Sequence, residues 1–172
     1  MPLAKETLLL IFTLGGISLK LADHYGEQAR DYLSYFFAAA AAICMGLLIS
    51  DNPYSSSIML GIIVGVILAG KVDRLNMMIG LGLTLTTAAM LGFSLPDFPL
   101  LMVVAVASLI DETGHDRSAS KGILAKFFRF RMALKTIIVL LTVLGWVDVV
   151  HALGFFCFDV SYDITDLWIS GR

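Results

Sequence analysis

Two short stretches of the sequence combine carboxylate and imidazole side chains at spacings that suit metal or acid–base chemistry. They read DHYGE at 23–27 and DETGHD at 111–116, and each directly follows an apolar run. In a helix, residues three apart share a face, so Glu112 lies beside His115 and His24 beside Glu27. The Glu-x-x-His spacing is the one with which helical bundles present ligands to a pair of metal ions.

A third charged stretch, KVDR at 71–74, adds a further carboxylate. The candidate metal ligands are Asp23, Glu27, Asp73, Asp111 and Asp116. The candidate catalytic residues are His24, His115 and Glu112, because histidine can serve as an acid or a base near neutral pH. Oxygen ligands favour Mg²⁺ or Mn²⁺, whereas the two histidines also allow Zn²⁺ or Fe²⁺. The alternative is that these charges only end their helices in the headgroup layer.

Basic residues accompany the acidic ones and could bind an anionic group. The candidates are Lys71, Arg74, Arg117, Arg129 and Arg131. Arginine matches phosphate through two parallel hydrogen bonds, which favours a phosphate-bearing substrate. The segment 112–132 is itself predicted to be a cytoplasmic loop whose basic, phenylalanine-rich part lies as an amphipathic helix in the membrane interface and contacts anionic lipid. Binding of a phosphate by its arginines is the alternative for this segment.

The elements that position these residues follow from composition. The chain has 172 residues, of which 58% are hydrophobic and 15% charged, and a mean hydropathy of +0.87. These values predict a single-domain, all-α integral membrane protein, a compact bundle of six transmembrane helices, with five as the alternative. The sequence contains no basic surface of the kind that would indicate nucleic-acid binding. The predicted spans are about 6–22, 32–50, 54–71, 75–95, 97–111 and 133–155.

The loops that follow the first, third and fifth spans carry most of the positive charge. Ten of the twelve Lys and Arg residues fall in 20–31, 71–74 and 111–135, whereas Lys5 and Arg172 fall on the other side. The positive-inside rule makes these loops cytoplasmic, and six spans put both termini outside. Three charged clusters, distant in sequence, are thus expected at one membrane face.

Three further features give structural expectations. Gly61-x-x-x-Gly65 indicates a close approach between helices. Asp148 and His151 are expected at the outer interface. The C-terminal acids, which are expected to form a solvated tail on the outer side, are Asp159, Asp163 and Asp166.

The leading hypothesis is a metal-dependent membrane hydrolase or transferase. It would act at the cytoplasmic leaflet on a lipid-borne or isoprenoid phosphate, with membrane lipid as its surroundings. A cation or proton-coupled transporter is the first alternative, and it predicts a path of ionisable groups across the membrane. A non-catalytic subunit that docks a cytoplasmic partner is the second. The sequence leaves the oligomeric state open.

Overall fold

The computed structural model describes residues 3–28, 31–117, 127–128 and 130–171, and in these ranges it contains helices and turns but no strand. The helices are α1 Lys5–Glu27, α2 Asp31–Asp51, α3 Pro53–Leu68, α4 Leu75–Leu91, α5 Phe98–Arg117, α6 Met132–Val143 and α7 Val149–Ser170. Arg129 and the side chains of Asp116 and Arg117 lie outside the description. The same holds for residues 118–126 of the predicted interfacial segment.

Three helical segments are long and apolar enough to span a membrane. They are α1, Tyr32–Asp51 within α2 and Phe98–His115 within α5. Three shorter helices, α3, α4 and α6, are also apolar, with 16, 17 and 12 residues. The all-helical prediction is confirmed for the described residues, and these segments fit a helical membrane protein. The number of spans stays a prediction.

Six helices pack into a closed ring. α1 contacts α2 and α7, α3 contacts α2 and α5, and α6 contacts α5 and α7. α4 lies outside this ring against α2, with a smaller contact to α1. Large apolar side chains fill the ring, and those with almost no exposure include Phe12, Leu48, Ile58, Met59, Ile138 and Phe155.

Glycines allow the closest helix contacts. A Cβ atom on Gly61 would lie 2.7 Å from Cβ of Val104, and one on Gly65 would lie 2.5 Å from Cβ of Ser108. Both distances are shorter than real Cβ contacts, so α3 can approach α5 only with glycine at these positions. The close approach predicted from Gly61-x-x-x-Gly65 is therefore confirmed.

The structure differs from the predicted span 133–155, which is two helices and not one. α6 ends at Val143, and Gly145 adopts a φ of 74°. The amide of Gly145 donates to the carbonyl of Thr142 and that of Trp146 to Leu141, which is the hydrogen-bond pattern of a Schellman motif. Asp148 then caps α7 through the amide of Val150. The chain thus reverses its direction at 144–148.

This reversal puts the first and the last described residues, Leu3 and Gly171, at opposite ends of the bundle. The amide of Leu3 donates to the Asp51 carboxylate at the end where α2 meets α3. Near the other terminus, Asp166 forms an ion pair with Lys20 close to the end of α1. This arrangement differs from the expectation of six spans with both termini outside, and the side of the membrane on which each terminus lies stays a prediction.

Candidate functional site

A cavity of about 560 Å³ lies at the end of the bundle where α1 and α3 end and α4 begins. This volume is within the usual range for small-molecule sites. Charged side chains line its mouth: Lys20, Asp23, Glu27, Lys71, Asp73, Arg74, Asp111, Glu112, His115, Arg131, Asp163 and Asp166. Its inner part is lined mainly by alanine, methionine, isoleucine, leucine and valine side chains.

The mouth contains most of the residues that the sequence singles out. Asp23, Asp73 and Asp111 come from three different parts of the chain and line this one cavity. Its lining excludes His24, whose Nε2 atom lies 2.9 Å from the Gln28 side chain and whose ring packs against Tyr25. The predicted pair of His24 and Glu27 is therefore split, because only Glu27 faces the cavity.

A chain of ion pairs crosses the mouth from α7 to the start of α4. Lys20 lies 2.8 Å from Asp166 and 3.6 Å from Asp23. Arg74 continues the chain at 3.5 Å from Asp23 and 3.3 Å from Glu27. Since one cation joins each pair of neighbouring carboxylates, a change of charge at any member acts on the next one.

Arg131 is the most constrained cation of the mouth. Its backbone has a φ of 49°, which is uncommon for a residue other than glycine. Its guanidinium lies 3.0 Å from Glu112 and 4.6 Å from the ring centre of Tyr162. Burial by itself would lower the pKa of Arg131, but Tyr162 and Glu112 raise it, and the net shift is upward. The side chain is therefore a fixed positive charge.

Tyr162 joins two cations from separate helices. Lys20 Nζ lies 5.2 Å from the same ring centre that Arg131 contacts. Both distances are within the range of a cation–π interaction. This ring thus links the ion-pair chain of α1 to the pair formed by Arg131 and Glu112.

Asp111 has a structural role that its sequence neighbourhood does not reveal. Its carboxylate is almost fully buried, with 1% of its surface exposed. One oxygen accepts from the amide of Ala133 at 3.0 Å and the other from that of Leu134 at 2.7 Å. These amides belong to the first turn of α6 and have no partner within the helix. Asp111 therefore caps α6 from α5.

The acids of α7 lie toward the mouth end of the bundle and not at its opposite end: Asp163 and Asp166 line the cavity, whereas Asp159 is buried and does not. Lys135 Nζ lies 2.7 Å from Asp159 and 3.3 Å from Asp163, and Asp166 pairs with Lys20. The expected outer acidic tail is wrong because the turn at 144–148 brings α7 back toward the mouth. The signal was Gly145 followed by Asp148, a helix stop and a helix start.

No three His, Cys, Asp or Glu side chains converge on a metal position within the described ranges. Among the lining carboxylates, Asp73 is exposed and makes no hydrogen bond or ion pair to another described residue. Glu112 pairs with Arg131, and Asp23 and Glu27 share Arg74. Asp73 is thus the lining carboxylate most open to an additional cation.

A second polar group closes the opposite end of the bundle. His151 Nδ1 lies 3.2 Å from Asp148, and its Nε2 lies 2.8 Å from the Asn52 amide nitrogen. Asp51 contacts both Asn52 and the Leu3 amide. The buried apolar core separates this group from the mouth, so the two polar regions are distinct.

Comparison with known proteins found no matching family model, no matching curated protein and no matching solved structure.

Proposed function

We propose that this protein is a membrane enzyme that uses a divalent metal ion and acts on a lipid-borne or isoprenoid phosphate by hydrolysis or group transfer. The observation that carries the proposal is the two-part cavity, charged at its mouth and apolar inside. An amphiphile with an ionic headgroup matches both parts. Its head would meet the charged side chains, and its hydrocarbon would be removed from water against the apolar walls.

The excess of negative charge at the mouth supports the proposal that the protein uses a divalent metal ion. Seven carboxylates and four cationic side chains line the cavity within the described residues. A phosphate entering alone would meet excess negative charge, and a divalent cation that enters with it removes this repulsion. Mg²⁺ commonly binds through one or two carboxylates plus substrate phosphate oxygens, so it needs no group of three protein ligands.

The contacts suggest a role for each part of the mouth. Asp73 is our first choice as a metal ligand, with Asp23 or Glu27 as the second. Lys71 and Arg74 flank Asp73 in the chain and would hold the phosphate oxygens. His115, which lines the same cavity, is the candidate general acid or base. Zn²⁺ or Fe²⁺ has less support, because His24 is not part of the lining.

The distribution of cations supports a cytoplasmic mouth. Lys5 lies at the start of α1, away from the mouth. The cations in the described residues at the mouth end are Lys20, Lys71, Arg74, Arg131 and Lys135. By the positive-inside rule, the mouth would open at the cytoplasmic leaflet. A headgroup there is accessible to water-borne reactants while its chain stays in lipid.

What favours an enzyme over a transporter is the inner end of the cavity. A transporter requires polar groups that continue toward the other side. Phe12, Leu48, Ile58 and Phe155 are fully or almost fully buried in the core between the mouth and the polar group around His151. The described core therefore offers no line of ionisable groups between the two ends.

The metal is tested by titrating Mn²⁺ into purified protein and following the electron paramagnetic resonance signal of the free ion. Asp73→Asn should weaken Mn²⁺ binding by at least roughly tenfold, because even the loss of a residue that only hydrogen-bonds to a metal ligand lowers metal affinity by about this factor. Asp148→Asn is the matched control, since it removes a carboxylate at the opposite end and keeps an N-cap residue. Equal affinities for Asp73→Asn and wild type would remove Asp73 as a ligand.

The reaction is tested with alkyl and prenyl phosphates and diphosphates in mixed micelles. Mass spectrometry would detect phosphate release or headgroup exchange. We expect turnover that requires Mg²⁺ or Mn²⁺, stops with a chelator and is lost in Lys71→Met. Metal-independent turnover would contradict the metal requirement, and flux of ions through sealed vesicles without turnover would favour transport.

A further inference from the structure

α3 and α4 form a hairpin whose two helices are not closely packed against each other. They are joined by residues 69–74, and no Cα atom of α3 lies within 8 Å of a Cα atom of α4. Helices that follow one another through such a short link usually pack side by side. Here both pack against α2 instead. α2 is therefore the back wall, and α3 and α4 are the side walls, of a space that we name the α3–α4 cleft.

The α3–α4 cleft is the apolar continuation of the charged mouth. The lining side chains of its three walls are Ala38, Ala41, Ala42 and Met45 of α2, Ile62, Ile63 and Val66 of α3, and Met77, Gly80, Leu81 and Thr84 of α4. From Ala38 to Met45, and from Met77 to Thr84, the lining extends over two helical turns, or about 10 Å. It thus leads from the charged residues into the depth of the apolar helices.

The walls offer nothing for water to bind. Thr84 is the polar side chain among these wall residues, and its hydroxyl donates to the carbonyl of Gly80 in its own helix at 2.9 Å. An ordered water normally needs two to four polar partners. Hydrocarbon is the chemistry that fits such walls, because it gains dispersion contacts and leaves no polar group unpaired.

We propose that the α3–α4 cleft holds the hydrocarbon chain of the substrate and that the chain enters sideways from the bilayer, between α3 and α4. This inference rests on the proposed function, since it takes the substrate headgroup to be at the charged mouth. The occupant is the chain of a single-headed phosphoamphiphile, because the apolar cleft opens directly into the ring of charged side chains.

The test uses two pairs of tryptophan variants. In each pair, one side chain points into the cleft and the other points away from it on the same helix. Leu81→Trp and Ile63→Trp fill the cleft, whereas Leu83→Trp and Ile67→Trp alter exposed positions on the same two helices. Dodecyl phosphate, dodecanol and inorganic phosphate with Mg²⁺ serve as probes, and isothermal titration in bicelles measures binding. Thermal unfolding shows whether each variant is folded. If one cleft variant misfolds, the comparison rests on the pair that contains the other cleft variant.

We expect each cleft variant to bind dodecyl phosphate about tenfold more weakly than its exposed counterpart, because the indole displaces roughly two methylene groups from the cleft. Inorganic phosphate should bind all four alike, and dodecanol should bind wild type more weakly than dodecyl phosphate. Equal binding of dodecyl phosphate within both pairs would contradict the proposal that the cleft holds the hydrocarbon chain. Equal binding of dodecanol and dodecyl phosphate to wild type would contradict it as well. Failure of inorganic phosphate to bind wild type with Mg²⁺ would instead overturn the proposed headgroup site.

Discussion

Replacing Asp111 by alanine tests the buried cap that joins α5 to α6. The carboxylate is 1% exposed and accepts from the amides of Ala133 and Leu134 at 3.0 and 2.7 Å. Alanine leaves the buried amide of Leu134 and the partly buried amide of Ala133 without a partner, and the loss of a buried partner costs about 1–3 kcal/mol. We expect a total destabilisation of about 3 kcal/mol. For a chain of this length it corresponds to a fall in Tm of about 6–12 °C.

The assay is thermal unfolding in one fixed detergent, followed by circular dichroism. Asp111→Asn keeps one acceptor oxygen and should lose about half as much stability. Asp148→Ala removes an exposed cap that accepts one backbone-amide hydrogen bond of 3.3 Å and lies 3.2 Å from the His151 ring, so its cost should stay below about 1 kcal/mol.

This order of effects also separates a structural role of Asp111 from a purely chemical one. If Asp111 acted only as a metal ligand, Asp111→Asn would abolish metal binding and leave the Tm unchanged. A Tm for Asp111→Ala within 2 °C of wild type, a margin of about 1 kcal/mol or less, would refute the cap argument.

Further predictions concern packing, buried charge and the mouth. Thermal unfolding of Gly16→Ala should show a destabilisation of more than about 1 kcal/mol, because the added Cβ atom would overlap α7. In the same assay, Gly82→Ala should be neutral or stabilising by up to about 1 kcal/mol, because Gly82 faces open space on α4. Lys135→Met should cost about 3–5 kcal/mol since Asp159 stays buried without its partner, and adding Asp159→Leu should restore much of the loss in the same assay. Arg74→Met should change the Tm by less than about 2–4 °C, because its pairs are partly exposed, yet weaken inorganic phosphate binding measured by titration.

The convergence of the charged clusters could be predicted because it follows from the alternation of helix direction. α1 and α3 run toward the same end, so Asp23 and Asp73 line one cavity. The close approach at Gly65 could also be predicted, since small residues four apart are a local signal. Both predictions depend on spacing along one or two helices and need no knowledge of distant partners.

The features that the sequence did not predict depend on contacts between distant residues or on a turn inside an apolar run. The hydropathy of 133–155 concealed the helix stop at Gly145, and with it the position of Asp159 and Asp166. The cap formed by Asp111 joins residues more than 20 positions apart, so no local pattern reveals it. Whether a charged side chain binds metal or another side chain depends on such distant neighbours.

The contact between the first and the last helix has a consequence for biosynthesis. Ribosomes release α1 long before α7, yet Lys20 finds its partner Asp166 near the end of the chain. Until α7 has been made, Lys20 lacks this partner, and the cavity lacks the side chains that α7 contributes to its lining. The cavity therefore reaches its complete form only once α7 has been synthesised, and a nascent chain that stalls earlier has a cavity open on the side that α7 covers.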